Sequence, residues 1–173
     1  MGRDPLAAVM KRPGRRRRRD GVDLLLVCTT GGHLLQLLAL HPAWENRSRL
    51  WVTHGNSDAR SLLETERVAY AYSPTTRNIP NLLRNLWLAW RIVSRERPRM
   101  VLTTGAGVAV PFAWIARLRG ARVVYVESVT RVDALSLSAK LIAPIADRLF
   151  VQWPELERVH PRAAYCGNLL PVQ

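Results

Sequence analysis

The chain predicts an α/β fold, a doubly wound parallel sheet of Rossmann-like type, and three observations carry that reading. Short apolar runs of strand length recur along residues 22–166, each too brief for a helix. Amphipathic segments separate them, so strand and helix alternate as in βαβ units. Glycine-rich or polar loops follow several of the strands, where open α/β sheets place their ligands.

In order, strands are expected at 22–28, 50–54, 68–72, 100–103, 122–126, 147–151 and 163–166. They read as near-continuous apolar runs because a parallel strand is buried on both faces. Helices are expected at 34–40, 57–66, 79–95, 108–118, 135–143 and 155–159. The first twenty residues show no such periodicity. They hold Pro, Gly and the run Arg15 to Arg19, and read as a disordered arginine-rich tail ahead of one domain at 21–173. That tail has no apolar stretch of signal-peptide length, and no segment of the chain approaches the roughly 20 apolar residues of a membrane span.

The net charge is +13. Eight Arg or Lys against two Asp in the first twenty residues leave +6 there, so the body carries +7. A basic body favours an anionic partner: phosphate, anionic lipid or nucleic acid. Nucleic acid is disfavoured, because no basic strand interleaved with aromatics accompanies the arginines. Cys28 and Cys166 each fall in an expected strand and read as two buried thiols of a reducing compartment.

Thr29-Thr30-Gly31-Gly32-His33 follows the first strand and opens a helix. Two glycines permit a tight turn, and free N–H groups at a helix start attract an anion. The loop lacks the three-glycine spacing of a dinucleotide fingerprint. His33 is either a general base, its ordinary pKa lying near neutrality, or a residue that merely packs the turn. Thr103-Thr104-Gly105-Ala106-Gly107 repeats the arrangement after the fourth strand. If strands one and four are neighbours at the switch point, both loops overlook one crevice.

The stretch Val124-Tyr-Val-Glu-Ser-Val-Thr-Arg131 reads as strand and then polar loop; Leu135-Ser-Leu-Ser-Ala-Lys140 and Asp147-Arg-Leu-Phe-Val-Gln-Trp-Pro154 follow as helix and strand. Glu127 lies just past a strand end, where a carboxylate orients hydroxyls or takes a proton. The alternative is a latch in which Glu127 pairs with Arg131. Ser128, Ser136 and Ser138 are hydroxyl contacts or helix caps. Gln152 and Trp153 shape the crevice floor.

In the segment 81–99, Leu82, Leu83, Leu86, Trp87, Trp90 and Val93 fall within an arc of about 140° on a helical wheel, with Arg84, Arg91 and Arg95 opposite. The expectation is that this arc covers the sheet. Leu88 and Ile92 are then surplus and available to lipid or a partner.

Taken in order, these motifs resemble the acceptor-side subunit of two-part glycosyltransferases. Relatives are the membrane-associated half of the eukaryotic enzyme that adds a second GlcNAc to dolichyl-diphosphate-GlcNAc, and the bacterial PssD-type capsule and exopolysaccharide proteins. The likeness extends to MurG-type transferases. It covers about residues 22–170 and is most specific over 124–154. It implies the N-terminal half of an inverting GT-B transferase, binding a polyprenyl-diphosphate-linked sugar. A second chain, the C-terminal half, would bind the UDP-sugar donor. His33 and Glu127 would then be catalytic, orienting and deprotonating the acceptor hydroxyl. Thr30, Gly31, Gly32, Gly105, Ala106, Gly107, Ser128 and Arg131 would bind the acceptor.

The resemblance implies no cofactor beyond the UDP-sugar co-substrate and no metal, since no Asp-x-Asp motif occurs. The eukaryotic relatives carry an N-terminal anchor at this point, and none is expected here. Membrane contact is therefore expected to be peripheral, on an anionic membrane surface at the cytoplasmic face of the plasma membrane. Two rival readings stay open. One is a non-catalytic scaffold that recruits the donor subunit. The other is an autonomous nucleotide-binding enzyme, for which Asp58 is the acidic candidate after the second strand.

Overall fold

A computed structural model describes residues 21–75 and 78–169. The expected tail, 1–20, lies outside the described residues. Seven strands form one parallel sheet: β1 Leu24–Val27, β2 Arg49–His54, β3 Val68–Ala71, β4 Met100–Thr103, β5 Arg122–Val126, β6 Arg148–Val151 and β7 Ala163–Tyr165. Their order is β3-β2-β1-β4-β5-β6-β7. The order reverses at β1 and β4, which pair from Leu24↔Met100 to Val27↔Thr103. That junction is the topological switch point, so the loops after β1 and β4 lie side by side.

The helices are α1 Gly32–Ala39, α2 His41–Trp44, α3 Ser57–Leu62, α4 Ile79–Glu96, α5 Ala109–Leu118, α6 Leu137–Ile142 and α7 Pro154–Val159. All seven strands stand where the apolar runs placed them, two with the expected bounds and the rest with ends shifted by no more than two residues. Helix α2 is an addition: Pro42 sits in its first turn, where a missing N–H costs nothing.

Alternate residues of each strand face opposite sides, giving two cores. Leu24, Leu26, Trp51, Leu102 and Val124 pack with Leu34, Leu37, Trp44 and Leu63 from α1, α2 and the end of the α3 segment. Leu25, Val52, Val101, Val123 and Tyr125 pack with Ile92, Phe112, Ala116, Ile142 and Leu156 from α4 to α7.

Cys28 is buried as expected, and burial pushes its thiol up to about 12. Cys166 is exposed, because β7 ends one residue before it. His54, at the end of β2, is buried with Nε2 unpartnered, and desolvation lowers its pKa.

Helix α4 is rotated away from the expected orientation, and of the expected covering arc only Val93 is buried. It buries Asn81, Asn85, Ala89, Ile92, Val93 and Glu96. It exposes Leu82, Leu83, Leu86, Trp87 and Trp90, the last two by 53% and 54%. Leu88 and Ile92, expected outside, touch the core. The reason is in the asparagines. Asn85 Nδ2 donates to the Tyr72 carbonyl and its Oδ1 accepts the Tyr72 N–H, both at 2.9 Å; Asn81 Nδ2 donates to the Pro74 carbonyl at 3.0 Å. The strand β3 exit needs those partners, since a buried backbone group left unpaired costs about 1–3 kcal/mol. Rotating the leucines inward by about a third of a turn would orphan them.

Replacing Asn85 with Leu should therefore destabilise the protein by about 2–4 kcal/mol in urea unfolding, although it makes the helix more apolar. Leu83→Gln should change stability by no more than about 0.5 kcal/mol. For His54 the sign follows from its lowered pKa. Below about pH 6.5 the unfolded chain takes up a proton that the folded one refuses, so stability falls with pH by at most about 1.4 kcal/mol per unit. His54→Gln should flatten that part of the stability profile.

Candidate functional site

Three loops meet at the carboxyl edge of neighbouring strands β1, β4 and β5; the first hydrogen-bonds to the second directly and to the third through Gln36 of α1. In the first, Gly31 caps α1 with φ 70°, a left-handed conformation that a side chain would strain. His33, in the first turn, is half-buried. Its Nδ1 lies 2.8 Å from the Thr104 carbonyl, and Thr104 Oγ1 donates to the His33 carbonyl at 2.8 Å. A carbonyl only accepts, so Nδ1 carries a proton, and the neutral ring then has its lone pair on Nε2. The two glycine loops are therefore joined by a reciprocal pair of bonds that also fixes the tautomer of the histidine.

The second loop is shaped from beneath. Gly105 has φ 103° and Ala106 φ 71°. A Cβ on Gly105 would run into the Tyr125 hydroxyl. That hydroxyl lies 3.1 Å from Ser136 Oγ and 3.0 Å from Ser138 Oγ, and the two serines are 3.1 Å apart. Burial pushes the phenol up to about 12, helped by the negative Glu127 carboxylate, so it stays protonated. Ser136 is also the N-cap of α6, accepting the Ala139 N–H at 3.2 Å.

The third loop is organised by Glu127, which is fully buried. One carboxylate oxygen accepts the Ser128 N–H at 2.8 Å and the other the Ser136 N–H at 2.7 Å. It thus holds both ends of the 128–136 loop. The latch weighed from the sequence exists, but it is made to backbone amides: no ion pair joins Glu127 to Arg131. Arg131 is exposed, and Ser128 is buried against Thr130 Oγ1 at 3.0 Å.

Gln36 ties this loop to the first. Its Oε1 accepts from the Val129 N–H at 2.9 Å and from Gln152 Nε2 at 2.7 Å, and its Nε2 donates to the Gly32 carbonyl at 3.1 Å. Gln152 also donates to the Glu127 carbonyl, while Trp153 Nε1 donates to the Val129 carbonyl. Both residues expected in the floor are there. Sequence reasoning missed Gln36, whose signal was a lone polar residue on the apolar stripe Leu34 to Leu40. It missed Tyr125 too, which looked like any strand aromatic.

Of the candidate residues, His33 is bonded to Thr104, at the start of the loop that carries Gly105, Ala106 and Gly107. Thr30 engages Asn56, the N-cap of α3, and Gly31 engages Asp58 in the first turn of that helix. Among the described residues no three His, Cys, Asp or Glu gather to hold a metal, and no helix is long and apolar enough to cross a membrane.

Residues 67–169, well over half of the chain, match the family described as "Oligosaccharide biosynthesis protein Alg14 like". The chain belongs to the Alg14-like family. The protein named UDP-N-acetylglucosamine transferase subunit ALG14 in Mus musculus is 27% identical, over 88% of this chain and 85% of its own length. Among solved structures, Acinetobacter baumannii MurG is similar with a TM-score of 0.69 at 17% identity, covering 86% of this chain. The UDP-GlcNAc 2-epimerase of Methanocaldococcus jannaschii gives 0.65 at 16% identity, covering 84%. The chain spans under half of each of those two proteins, 46% and 45%. The fold is thus that of the N-terminal half of a GT-B enzyme.

Gly105→Ala should cost about 2–4 kcal/mol in thermal or urea unfolding, combining the Tyr125 clash with a positive φ. Tyr125→Phe in that background should restore part of the loss. The backbone penalty, about 1–2 kcal/mol, should remain.

Proposed function

We propose that this chain is the acceptor-binding, membrane-associating subunit of a two-chain inverting glycosyltransferase. A donor-binding partner, equivalent to the C-terminal half of a GT-B enzyme, supplies the UDP-sugar, and this chain presents a polyprenyl-diphosphate-linked saccharide. The observation that carries the reading is the fixed tautomer of His33. A base must offer a lone pair and hold its other nitrogen still, and the Thr104 carbonyl does the holding.

In this reading Nε2 of His33 takes the proton of the acceptor hydroxyl as that oxygen attacks the anomeric carbon of the donor. The bond to UDP breaks, and the diphosphate leaves with its electron pair. Glu127 acts as a positioning residue that keeps Ser128 and Arg131 at the crevice. The reaction calls for no cofactor beyond the UDP-sugar co-substrate.

The membrane part rests on α4. Leu82, Leu83, Leu86, Trp87 and Trp90 form an exposed ridge, and α5 and α6 beside it expose Trp114, Leu118, Leu137 and Leu141. Exposed apolar surface on this scale marks an interaction site, and tryptophans next to arginines suit a lipid–water interface. Because α4 starts at the carboxyl edge of the sheet, the ridge begins at the crevice rim, where a polyprenyl chain would leave. The chain would work peripherally on an anionic membrane, at the cytoplasmic face of the plasma membrane.

The test is co-expression with a donor-half partner, followed by assay of UDP-sugar transfer to a polyprenyl-diphosphate-linked sugar. Transfer should need both chains, and His33→Ala should lower it about 10²–10⁴-fold. Glu127→Gln, which sets an amide N–H against a backbone N–H, should lower it at least about tenfold. Trp87→Ser with Trp90→Ser should reduce transfer in vesicles but leave it intact in detergent. A His33→Ala complex of unchanged activity would leave the chain a scaffold.

A further inference from the structure

The loop after β2 enters the crevice from the side opposite the 128–136 loop. Asn56 Nδ2 donates to Thr30 Oγ1 at 3.2 Å, and Asp58 Oδ2 accepts the Gly31 N–H at 3.1 Å. This changes what the first glycine loop can bind. An amide carries one proton, so Gly31 cannot serve a phosphate while Asp58 holds it. A phosphate brought close would also face the Asp58 charge, and like charges repel strongly at such separations.

The second glycine loop differs in having no carboxylate bonded to it; free helix-start amides are common to both, since those of Gly32 and His33 also make no hydrogen bond to protein among the described residues. The N–H groups of Ala106, Gly107 and Val108 make no hydrogen bond to protein among the described residues, and Thr75 lies against Gly107. Asp58 itself is exposed, and only its Oδ2 is engaged. A carboxylate past the second strand of a doubly wound sheet is well placed to accept from sugar hydroxyls, as it does for a ribose.

We propose that Asp58 sorts the two ends of the acceptor, a step that rests on the acceptor-binding reading above. Its charge closes the first loop to phosphate, which leaves the diphosphate to the second. Its Oδ1 accepts a hydroxyl of the acceptor sugar and so turns that sugar toward His33, two residues beyond Gly31. Asp58 is in this view a specificity and positioning residue for the sugar, not a helix-start acid alone.

Two probes separate sugar from diphosphate: farnesyl diphosphate, and farnesyl-diphosphate-linked N-acetylglucosamine, each titrated into the full chain in detergent. The variant Asp58→Asn keeps an oxygen for the Gly31 N–H, so the loop stays tied while the charge is lost. It should weaken the sugar-bearing probe by about tenfold or more, the worth of a hydrogen bond to a charged group, and leave the bare diphosphate as tight or tighter. Asp58→Ala frees the Gly31 N–H and should tighten the bare diphosphate further. Equal weakening of both probes by Asp58→Asn would mean a purely structural tie and would overturn the proposal, as would unchanged affinity for the sugar-bearing probe. A wild-type chain that binds neither probe would instead overturn the acceptor-binding reading itself.

Discussion

The exchange of hydrogen bonds between His33 and Thr104 is the constraint on which the site depends. It joins residues 71 positions apart at the point where the strand order reverses. Neither bond is available to a helix or a sheet ladder, so each exists only because β1 and β4 are neighbours. The pairing fixes three things together: the spacing of the two glycine loops, the ring orientation of the histidine, and which ring nitrogen donates to the protein. Glu127 performs the matching task on the other side, gathering two backbone amides so that a nine-residue loop closes onto itself. Gln36 and Gln152 connect these two centres through the interior.

Buried polar side chains are thus concentrated at one edge of the sheet and most are paired, the exceptions Trp51 Nε1, Thr53 Oγ1 and His54 Nε2 all lying on β2. This placement makes physical sense. An unpaired polar atom in a core is expensive, but a paired network fixes geometry better than aliphatic packing does. The close approach of Tyr125 to Gly105 shows how tightly the edge is built.

Much of the fold was legible because parallel strands announce themselves as uninterrupted apolar runs. Val123 to Val126 and Leu24 to Val27 admit few other readings, and the glycines after β1 and β4 marked where the crevice would lie. The orientation of α4 was not legible. A helical wheel ranks faces by hydrophobicity, and here the less apolar face won because Asn81 and Asn85 satisfy backbone groups of the preceding loop. That demand depends on where the chain leaves β3, which no local window contains. The partners of Glu127 were hidden for a related reason: a carboxylate beside an arginine suggests an ion pair, whereas the amides it binds leave no trace in side-chain identity. Asp58 was visible as an acid after the second strand, but its hold on Gly31 required the loops to be brought together.

The rotated helix also distributes the six tryptophans unevenly. Trp44 and Trp51 are enclosed in the core beneath α1, while Trp87, Trp90 and Trp114 share the outer face of α4 and α5, and Trp153 is half-covered. The molecule therefore carries its own optical compass. Emission from the enclosed pair is shielded from any external quencher, whereas the outward three report the polarity of whatever that one face meets.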